Sequence, residues 1–119
     1  MSKNIGNTIY DRSINYYETD QMGIVHHSNY IRYLEEARLD MMEQVGLSYA
    51  AMEEHGLIIP VLSVACEYIK PVLFGEKVQI HTRLVKFDGI KMQFVYEIYC
   101  EGELRTKGES RHCFLDKEM

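Results

Sequence analysis

The sequence predicts an α+β fold, in which one long helix packs on a sheet of mainly antiparallel strands. Apolar residues recur at helical spacing in one long stretch, over residues 29–45. After about residue 58, apolar and polar residues alternate with the two-residue period of strands. Short turns join these later segments, and short turns connect antiparallel neighbours. A helix on one face of an antiparallel sheet fits this order of elements.

The first predicted strand spans residues 8–17, which are rich in β-branched and aromatic side chains. After a loop, the long helix begins near Ser28 and Asn29, both good N-cap residues, and Gly46 is well suited to end it. Its apolar side chains cover almost half of the helix circumference, more than a surface helix needs, so we expect the sheet to curve around it. The central stripe consists of Tyr30, Leu34, Ala37, Met41 and Val45, widened by Ile31, Tyr33 and Met42.

The rest of the chain is predicted to form one short helix and four more strands. The short helix covers residues 48–54 and is ended by Gly56. Pro60 is expected to kink or precede the first of the four strands. Asp88-Gly89 is typical of a two-residue type I′ hairpin turn, and Glu101-Gly102 indicates a second, weaker hairpin turn. The strands are predicted over residues 58–69, 78–84, 92–100 and 104–115.

The size and composition indicate a single domain, expected to span residues 1–119. Apolar residues make up 46% of the chain, enough for a core, and the 26% of charged residues argues against disorder. A chain this short buries only a modest part of its surface, and its edge strands and open sheet face need cover. We therefore expect a homo-oligomer, either a dimer or a homotetramer built from dimers.

Charge and hydropathy patterns argue against several classes of protein. No run of about 18 apolar residues is present, so no membrane span is expected. The first residues lack the apolar stretch of a signal peptide, so we expect a cytoplasmic protein. A net charge of −5 without a basic run argues against binding of nucleic acid. No CxxC pair occurs, so we expect no metal site and interpret the cysteines as buried hydrophobic residues: Cys66, Cys100 and Cys113.

A candidate catalytic segment lies just before the long helix. It places the Asp20 carboxylate, Gly23 and two histidines, His26 and His27, upstream of the helix N-terminus. Free backbone N–H groups and about half a positive charge at such a terminus stabilise a carbonyl oxygen that develops negative charge. Gly23 permits a backbone geometry or a close approach that a Cβ would block. From spacing alone, however, an Asp in this place is more often a turn or cap residue.

The segment from Tyr17 to Tyr30 resembles the 4-hydroxybenzoyl-CoA thioesterase family of hotdog proteins. Within that family it is most similar to the bacterial acyl-CoA thioesterase branch associated with the Tol-Pal cluster. The shared pattern is an Asp, a Gly three residues later, a Val two residues beyond it, and a Tyr ten residues after the Asp. The similarity continues through Tyr33, Glu35, Ala37 and Arg38, and more loosely through residues 67–71 and the Gly75-Glu76 turn.

The resemblance implies a hotdog fold, in which a five-stranded, mainly antiparallel sheet wraps the long helix. It also implies an acyl-CoA thioester hydrolase, with Asp20 as the catalytic carboxylate and the backbone N–H near His27 meeting the thioester carbonyl. The His27 side chain is a second catalytic candidate, because the most similar branch also carries His at this position. His26 departs from the pattern, since relatives more often carry an aromatic residue there. The predicted substrate-binding residues are Gly23, Val25 and Tyr30.

Thioester hydrolysis fits these residues chemically. A thiol is a good leaving group because its pKa is about 8.5, so no strong general acid is needed to expel it. Asp20 either attacks the carbonyl directly or activates water, and both alternatives stay open. No metal or redox cofactor is required. Candidates for contacts to the coenzyme A phosphates, which a solvated face explains equally well, are Arg83, Lys86, Lys91 and Arg105.

Two other functions are alternatives to hydrolysis. Hotdog folds also host acyl-CoA or acyl-carrier-protein binding modules without turnover, and fold alone does not determine function. The intact Asp-x-x-Gly motif argues against such a module. A hotdog dehydratase would carry a His-centred motif with proline nearby, whereas no proline lies near His26 and His27. Glu35 is interpreted as a structural or interface partner, and Tyr30 more readily as a core or pocket-wall residue than as a catalyst.

Overall fold

The computed structural model describes residues 7–46 and 49–116. Within these residues, a 3-10 turn at Tyr16–Glu18 precedes the long helix. The helices are α1 (Ser28–Gln44) and α2 (Tyr49–Glu54). The strands are β1 (Asn7–Ser13), β2 (Leu57–Ile58), β3 (Val61–Tyr68), β4 (Lys77–Phe87), β5 (Lys91–Cys100), β6 (Glu103–Cys113) and β7 (Leu115–Asp116).

Five strands form one sheet in the order β1-β4-β5-β6-β3, and β2 pairs with β7 in a small separate ribbon. Every neighbouring pair in the large sheet is antiparallel, and β1 and β3 are its edges. The predicted α+β architecture of one long helix and a five-stranded antiparallel sheet is therefore confirmed. Neither helix in the described part of the chain has the length and hydropathy required to cross a membrane.

The core lies between α1 and the sheet. Tyr33, Leu34, Ala37 and Met41 of α1 are each at most 2% exposed, as the apolar stripe predicts. The helix comes so close to β6 that a Cβ added at Gly108 would lie 2.7 Å from Leu34 Cδ1. The opposing side chains alternate along two central strands, which brings one face of each strand into the core. They are Val78, Ile80, Phe94, Tyr96 and Ile98.

The first strand is shorter than predicted. β1 ends at Ser13 rather than at residue 17, because Ile14 turns into the core and the next residues form the 3-10 turn. Within that turn, the Glu18 carboxylate accepts the Asn15 N–H at 2.9 Å, and the Glu18 N–H bonds to the Asn15 carbonyl at 3.0 Å. This local side-chain hydrogen bond overrides the strand propensity of the two tyrosines between them.

The other boundaries lie close to their predicted positions. α1 begins at Ser28 and ends at Gln44, and Pro60 separates β2 from β3 as the predicted kink. The predicted start of the short helix at Ser48 lies outside the described residues. One α1 residue was wrongly assigned to the apolar stripe, since Ile31 is 45% exposed.

The two hairpin predictions have opposite outcomes. Glu101 and Gly102 both have positive φ, 51° and 79°, and they join the paired residues Cys100 and Glu103. Glu101-Gly102, the weaker of the two predictions, therefore forms a two-residue hairpin turn. At the stronger signal, Phe87 pairs with Met92 and the chain reverses over residues 88–91. Only Gly89 has positive φ there, whereas a type I′ turn needs two such residues. The Asp88 carboxylate instead closes the longer loop, by accepting the N–H groups of Ile90 and Lys91.

Candidate active site

Asp20 begins a tight loop between the 3-10 turn and α1. The loop closes through the bonds from Asp20 N–H to the Ile24 carbonyl, at 2.8 Å, and from Gly23 N–H to the Asp20 carbonyl, at 3.0 Å. Thr19 and Val25 form an antiparallel bridge at its base. Gly23 has φ +77°, and no atom lies within 4 Å of the place where its Cβ would be. Of the two roles predicted for this glycine, the positive φ supports the turn geometry.

The Asp20 side chain takes part in this loop with one of its two carboxylate oxygens. Its Oδ1 accepts the N–H groups of Met22, at 2.8 Å, and Ile24, at 3.1 Å. Oδ2 makes no hydrogen bond within the described residues, and the residue is exposed. The carboxylate is therefore oriented by its own loop and still presents one oxygen to a ligand.

The start of α1 supplies the second feature of the site. His26 Nδ1 accepts the Ser28 N–H at 3.2 Å, and the next N–H groups, those of Asn29 and Tyr30, bond to the carbonyls of His26 and His27. Among the described residues, the His27 N–H has no acceptor. Its imidazole is exposed and stacks on that of His26, with ring centroids 4.2 Å apart. An unpaired N–H at the positive end of a helix is a suitable donor to an oxyanion.

These two features open into the same cleft, which we call the Asp20 cleft. It has a volume of about 350 Å³ and brings together four of the five predicted site residues. Gly23 is not among the lining residues and shapes the turn behind them. The lining consists of Asp20, Ile24, Val25, His26, His27, Tyr30, Tyr68, Ile69, Lys70 and Pro71.

Tyr30 forms part of the wall of the Asp20 cleft. It is 4% exposed, its hydroxyl accepts the Val72 N–H at 3.3 Å, and burial raises its pKa. Its ring lies 4.9 Å from that of Tyr68, at the end of β3. Tyr68 and Lys70 lie far from Asp20 in sequence, and the only signal for them was the loose family similarity of residues 67–71. These contacts fit the interpretation of Tyr30 as a pocket-wall residue.

The turn over residues 71–76 holds the Asp20 loop from the other side. Val25 N–H bonds to the Val72 carbonyl at 2.8 Å, and Phe74 N–H bonds to the Gly23 carbonyl at 2.9 Å. A short bridge also joins Ile24 to Leu73. The position of the Asp20 carboxylate therefore depends on a turn about 50 residues later in the chain.

Arg105 in β6 fixes this second turn. Arg105 is 8% exposed and donates a hydrogen bond to the Pro71 carbonyl at 2.8 Å. Its guanidinium also forms a bidentate ion pair with the Glu76 carboxylate, at 2.9 and 3.1 Å. Hydrogen bonds from Arg105 lower the pKa of Glu76 below its ordinary value. The prediction that Arg105 is either a phosphate contact or part of a solvated face is therefore wrong. Glu76, Cys100 and Glu101 each place one atom of a metal-binding type within 4.8 Å of the others. The Glu76 carboxylate of this group is already in an ion pair with Arg105.

Replacing Arg105 with Met is expected to lower the free energy of unfolding by about 2 kcal/mol, because it removes the ion-pair partner of the partly buried Glu76 carboxylate, whose side chain is 23% exposed. Chemical denaturation of the purified variant measures this change. Arg83→Met is the matched control, since Arg83 is exposed, and its effect should stay within about 0.5 kcal/mol. Equal stability of the two variants would contradict the role assigned to Arg105.

Comparison with known proteins places the chain in a family. Residues 14–119 match the thioesterase-like superfamily. YneP of Bacillus subtilis, provisionally named an acyl-CoA thioesterase, is 40% identical over 88% of this chain and 77% of its own length. The crystal structure of a DHNA-CoA thioesterase from Staphylococcus aureus superposes with a TM-score of 0.90, at 36% identity, over 95% of this chain and 76% of that one.

More distant relatives carry related names. The acyl-CoA thioester hydrolase YbgC of Escherichia coli is 29% identical over 70% of this chain and 63% of its own length. The helix wrapped by a five-stranded antiparallel sheet is a hotdog fold, as predicted. The chain belongs to the thioesterase-like superfamily. The expectation of an enzyme of the thioesterase class is thereby confirmed at the level of the family.

Proposed function

We propose that the protein hydrolyses an acyl-CoA thioester to a free acid and coenzyme A in the Asp20 cleft. The observation that supports this most strongly is the pairing of two groups at one opening. One is the carboxylate of Asp20, with a free Oδ2, and the other is the unpaired N–H of His27 at the start of α1. Thioester hydrolysis needs both, a nucleophile or base on one side of the carbonyl and a donor to the oxyanion.

The carbonyl oxygen of the bound thioester would accept the His27 N–H. As the carbon becomes tetrahedral, negative charge grows on this oxygen, and the helix N-terminus stabilises it. The backbone N–H is the main candidate donor, and the exposed His27 imidazole is the second. Val25 and Tyr30 would form the wall against the acyl group, while Gly23 acts through the shape of the loop.

Asp20 would act in one of two ways. As a nucleophile, Oδ2 adds to the carbonyl carbon, the C–S bond breaks, the coenzyme A thiolate leaves, and water then hydrolyses the mixed anhydride. As a general base, Oδ2 takes a proton from water, whose oxygen adds to the carbon before the same C–S bond breaks. Both routes release a thiolate that needs no strong acid to leave. The N–H groups that Oδ1 accepts leave both routes geometrically available.

The names of relatives support the substrate class. They include a DHNA-CoA thioesterase and an acyl-CoA thioester hydrolase, both of which are named for coenzyme A thioesters. The finer placement, in the 4-hydroxybenzoyl-CoA family near the Tol-Pal branch, is part of this proposal. So is a cytoplasmic location.

A thiol-release assay over acyl-CoAs of different chain length and aromaticity tests the proposal. We expect saturable release of free thiol with at least one acyl group. Saturable binding with no thiol release from any member of the panel would favour the binding-module alternative instead. Calorimetry with the same acyl-CoAs measures that binding.

We further propose that the active form is a homo-oligomer, either a dimer or a homotetramer built from dimers, joined through the β3 edge. β3 has no partner on its outer side within the described residues, and it exposes apolar side chains. Its last residue, Tyr68, and the following Ile69 and Lys70 line the Asp20 cleft, so a second copy on this edge would also lie next to the site. Exposed apolar edge strands are normally covered. The exposed side chains are Val61, Leu62, Val64, Tyr68 and Ile69.

Replacing Leu62 with Lys is expected to shift the protein towards the monomer, because it places a charge among apolar side chains that the partner would cover. Light scattering after gel filtration, at concentrations of tens of micromolar, measures the mass. Ile90→Lys is the control, since Ile90 is 64% exposed in the loop between β4 and β5. A wild-type protein that is monomeric under these conditions would refute the proposal.

A further inference from the structure

Glu18 is a buried carboxylate that lies two residues before Asp20. It is 5% exposed and stands at the end of the 3-10 turn. A carboxylate so far from water is stable only when charged and hydrogen-bonding partners surround it. The mechanism described above assigns it no role, although it is the charged residue nearest to Asp20 in sequence.

The side chain of Glu18 is held by three groups from different parts of the chain. Arg12 of β1 donates from Nη1 to Glu18 Oε1 at 2.6 Å, the Tyr33 hydroxyl of α1 donates to the same oxygen at 3.0 Å, and the Asn15 N–H donates at 2.9 Å. The Arg12 guanidinium also lies 4.6 Å from the centre of the Tyr33 ring. The carboxylate therefore connects the first strand, the 3-10 turn and the central helix.

The backbone of Glu18 reaches the other side of the loop. Its carbonyl accepts the His26 N–H and the side-chain amide of Asn29, each at 2.9 Å. Asn29 lies in the first turn of α1 and is 8% exposed. The Glu18 side chain thus bonds to Arg12 of the sheet and to Tyr33 of the central helix. The Glu18 carbonyl bonds to His26 and Asn29, where that helix starts.

These bonds connect Glu18 to both groups that the proposed reaction uses. Asp20 lies two residues after Glu18 in the chain. His27, whose N–H is unpaired among the described residues, directly follows His26, whose N–H bonds to the Glu18 carbonyl. The bond from His26 N–H to the Glu18 carbonyl joins the loop base to the helix start, beside the Thr19–Val25 bridge, so a shift of Glu18 would change the spacing of the two segments.

We propose that Glu18, held by Arg12 and Tyr33, is a positioning residue that sets the separation between the Asp20 carboxylate and the His27 N–H. This inference rests on the proposed function, since it assigns Glu18 a role in the same reaction. The charge of Glu18 is part of the role, because Arg12 is its ion-pair partner and is only 15% exposed in its side chain. Burial alone would raise the pKa of Glu18, but the hydrogen bonds from Arg12, the Asn15 N–H and Tyr33 lower it, so the carboxylate stays ionised.

Glu18→Gln tests the proposal, because glutamine keeps the shape and one acceptor oxygen but removes the charge. We expect kcat to fall roughly tenfold to a hundredfold, while KM changes less than about twofold, because small misplacement of reacting groups lowers the rate of the chemical step. Glu36→Gln is the matched control. Glu36 also pairs with Arg12, at 3.0 Å, but a third of its side chain is exposed, and within the described residues its hydrogen bonds are to Tyr10 and Arg12 rather than to the loop. Its kcat should stay within about twofold of wild type.

Tyr33→Phe is a milder second variant that removes one hydrogen bond to Glu18 and keeps the buried ring. It should lower kcat in the same direction by a smaller factor, and it remains informative if Glu18→Gln does not fold. Both variants are compared at a temperature at which thermal melting shows them to be folded. A folded Glu18→Gln protein with wild-type kcat, or a loss that falls on KM alone, would overturn the proposal.

Hydrogen exchange of backbone amides separates this inference from the proposed function. In Glu18→Gln, the amides of Ile24 and His26 should exchange faster than in wild type, whereas amides of β5 should not change. This measurement needs no substrate, so it stays decisive even if wild type hydrolyses no acyl-CoA in the panel. Unchanged exchange over residues 20–26 would show that Glu18 does not hold the loop.

Discussion

Asp20→Asn is expected to lower kcat for acyl-CoA hydrolysis by a factor of at least about 10² to 10⁴, the usual contribution of a positioned general acid or base. The fold should survive, because the asparagine carbonyl oxygen can still accept the N–H groups of Met22 and Ile24 that Asp20 Oδ1 accepts. What disappears is the negative charge and with it the ability to attack or to take a proton. Thiol release under saturating substrate measures the change.

Asp88→Asn provides the matched control for this variant. Asp88 is also an exposed loop aspartate whose Oδ1 accepts two backbone N–H groups, those of Ile90 and Lys91. It lies outside the Asp20 cleft. Its substitution should leave kcat within about twofold of wild type and test whether loss of a loop carboxylate alone explains any effect. If Asp20→Asn and Asp88→Asn have equal activity, Asp20 is not the catalytic group.

His27→Pro is expected to lower kcat by about 10² to 10³, the usual cost of removing one oxyanion donor. Proline removes the backbone N–H, and its preferred φ of about −65° is close to the −57° that His27 already adopts. Proline is also well tolerated at a helix start, where the N–H has no partner within the helix. The variant therefore deletes the proposed donor with little expected effect on α1, which circular dichroism and thermal melting would verify.

His27→Ala separates the backbone from the side chain at this position. It keeps the N–H and removes the exposed imidazole that stacks on His26. If the N–H is the donor, His27→Ala should change kcat by only a few-fold while His27→Pro remains strongly impaired. A large loss in His27→Ala would assign the role to the imidazole, and a fully active His27→Pro would exclude the backbone donor.

Local pattern predicted the elements whose formation depends on nearby residues. The spacing of Tyr30, Leu34, Ala37 and Met41 predicted α1 and the face that it buries. Ordinary strand propensity failed at Tyr16 and Tyr17, because the Glu18 side chain closes a turn there. The turn dipeptides also gave the wrong order for the two hairpins at residues 88–89 and 101–102. The Asp88 side chain stabilises a longer loop than the two-residue turn that Asp88-Gly89 suggests.

The sequence predicted only some of the residues of the candidate site. Asp20 and His27 belong to one continuous segment, and the resemblance of that segment to a known family singled them out, whereas spacing alone did not. Tyr68 and Lys70 join them only because β3 ends beside the start of α1. In the sequence, Arg12 and Arg105 look like ordinary basic residues. Nothing near them in the chain indicates that Arg12 pairs with the buried Glu18 or that Arg105 pairs with the partly buried Glu76.

By itself, the sequence determined the class of fold, the long helix and the segment that carries Asp20 and His27, because helix periodicity, strand alternation and a continuous motif are properties of neighbouring residues. Only the tertiary structure decided how that segment is held. The Asp20 loop is bonded to residues 71–76 on one side and, through Glu18, to Arg12 and Tyr33 on the other. Such bonds depend on the packing of distant strands and one helix, which a linear pattern does not encode.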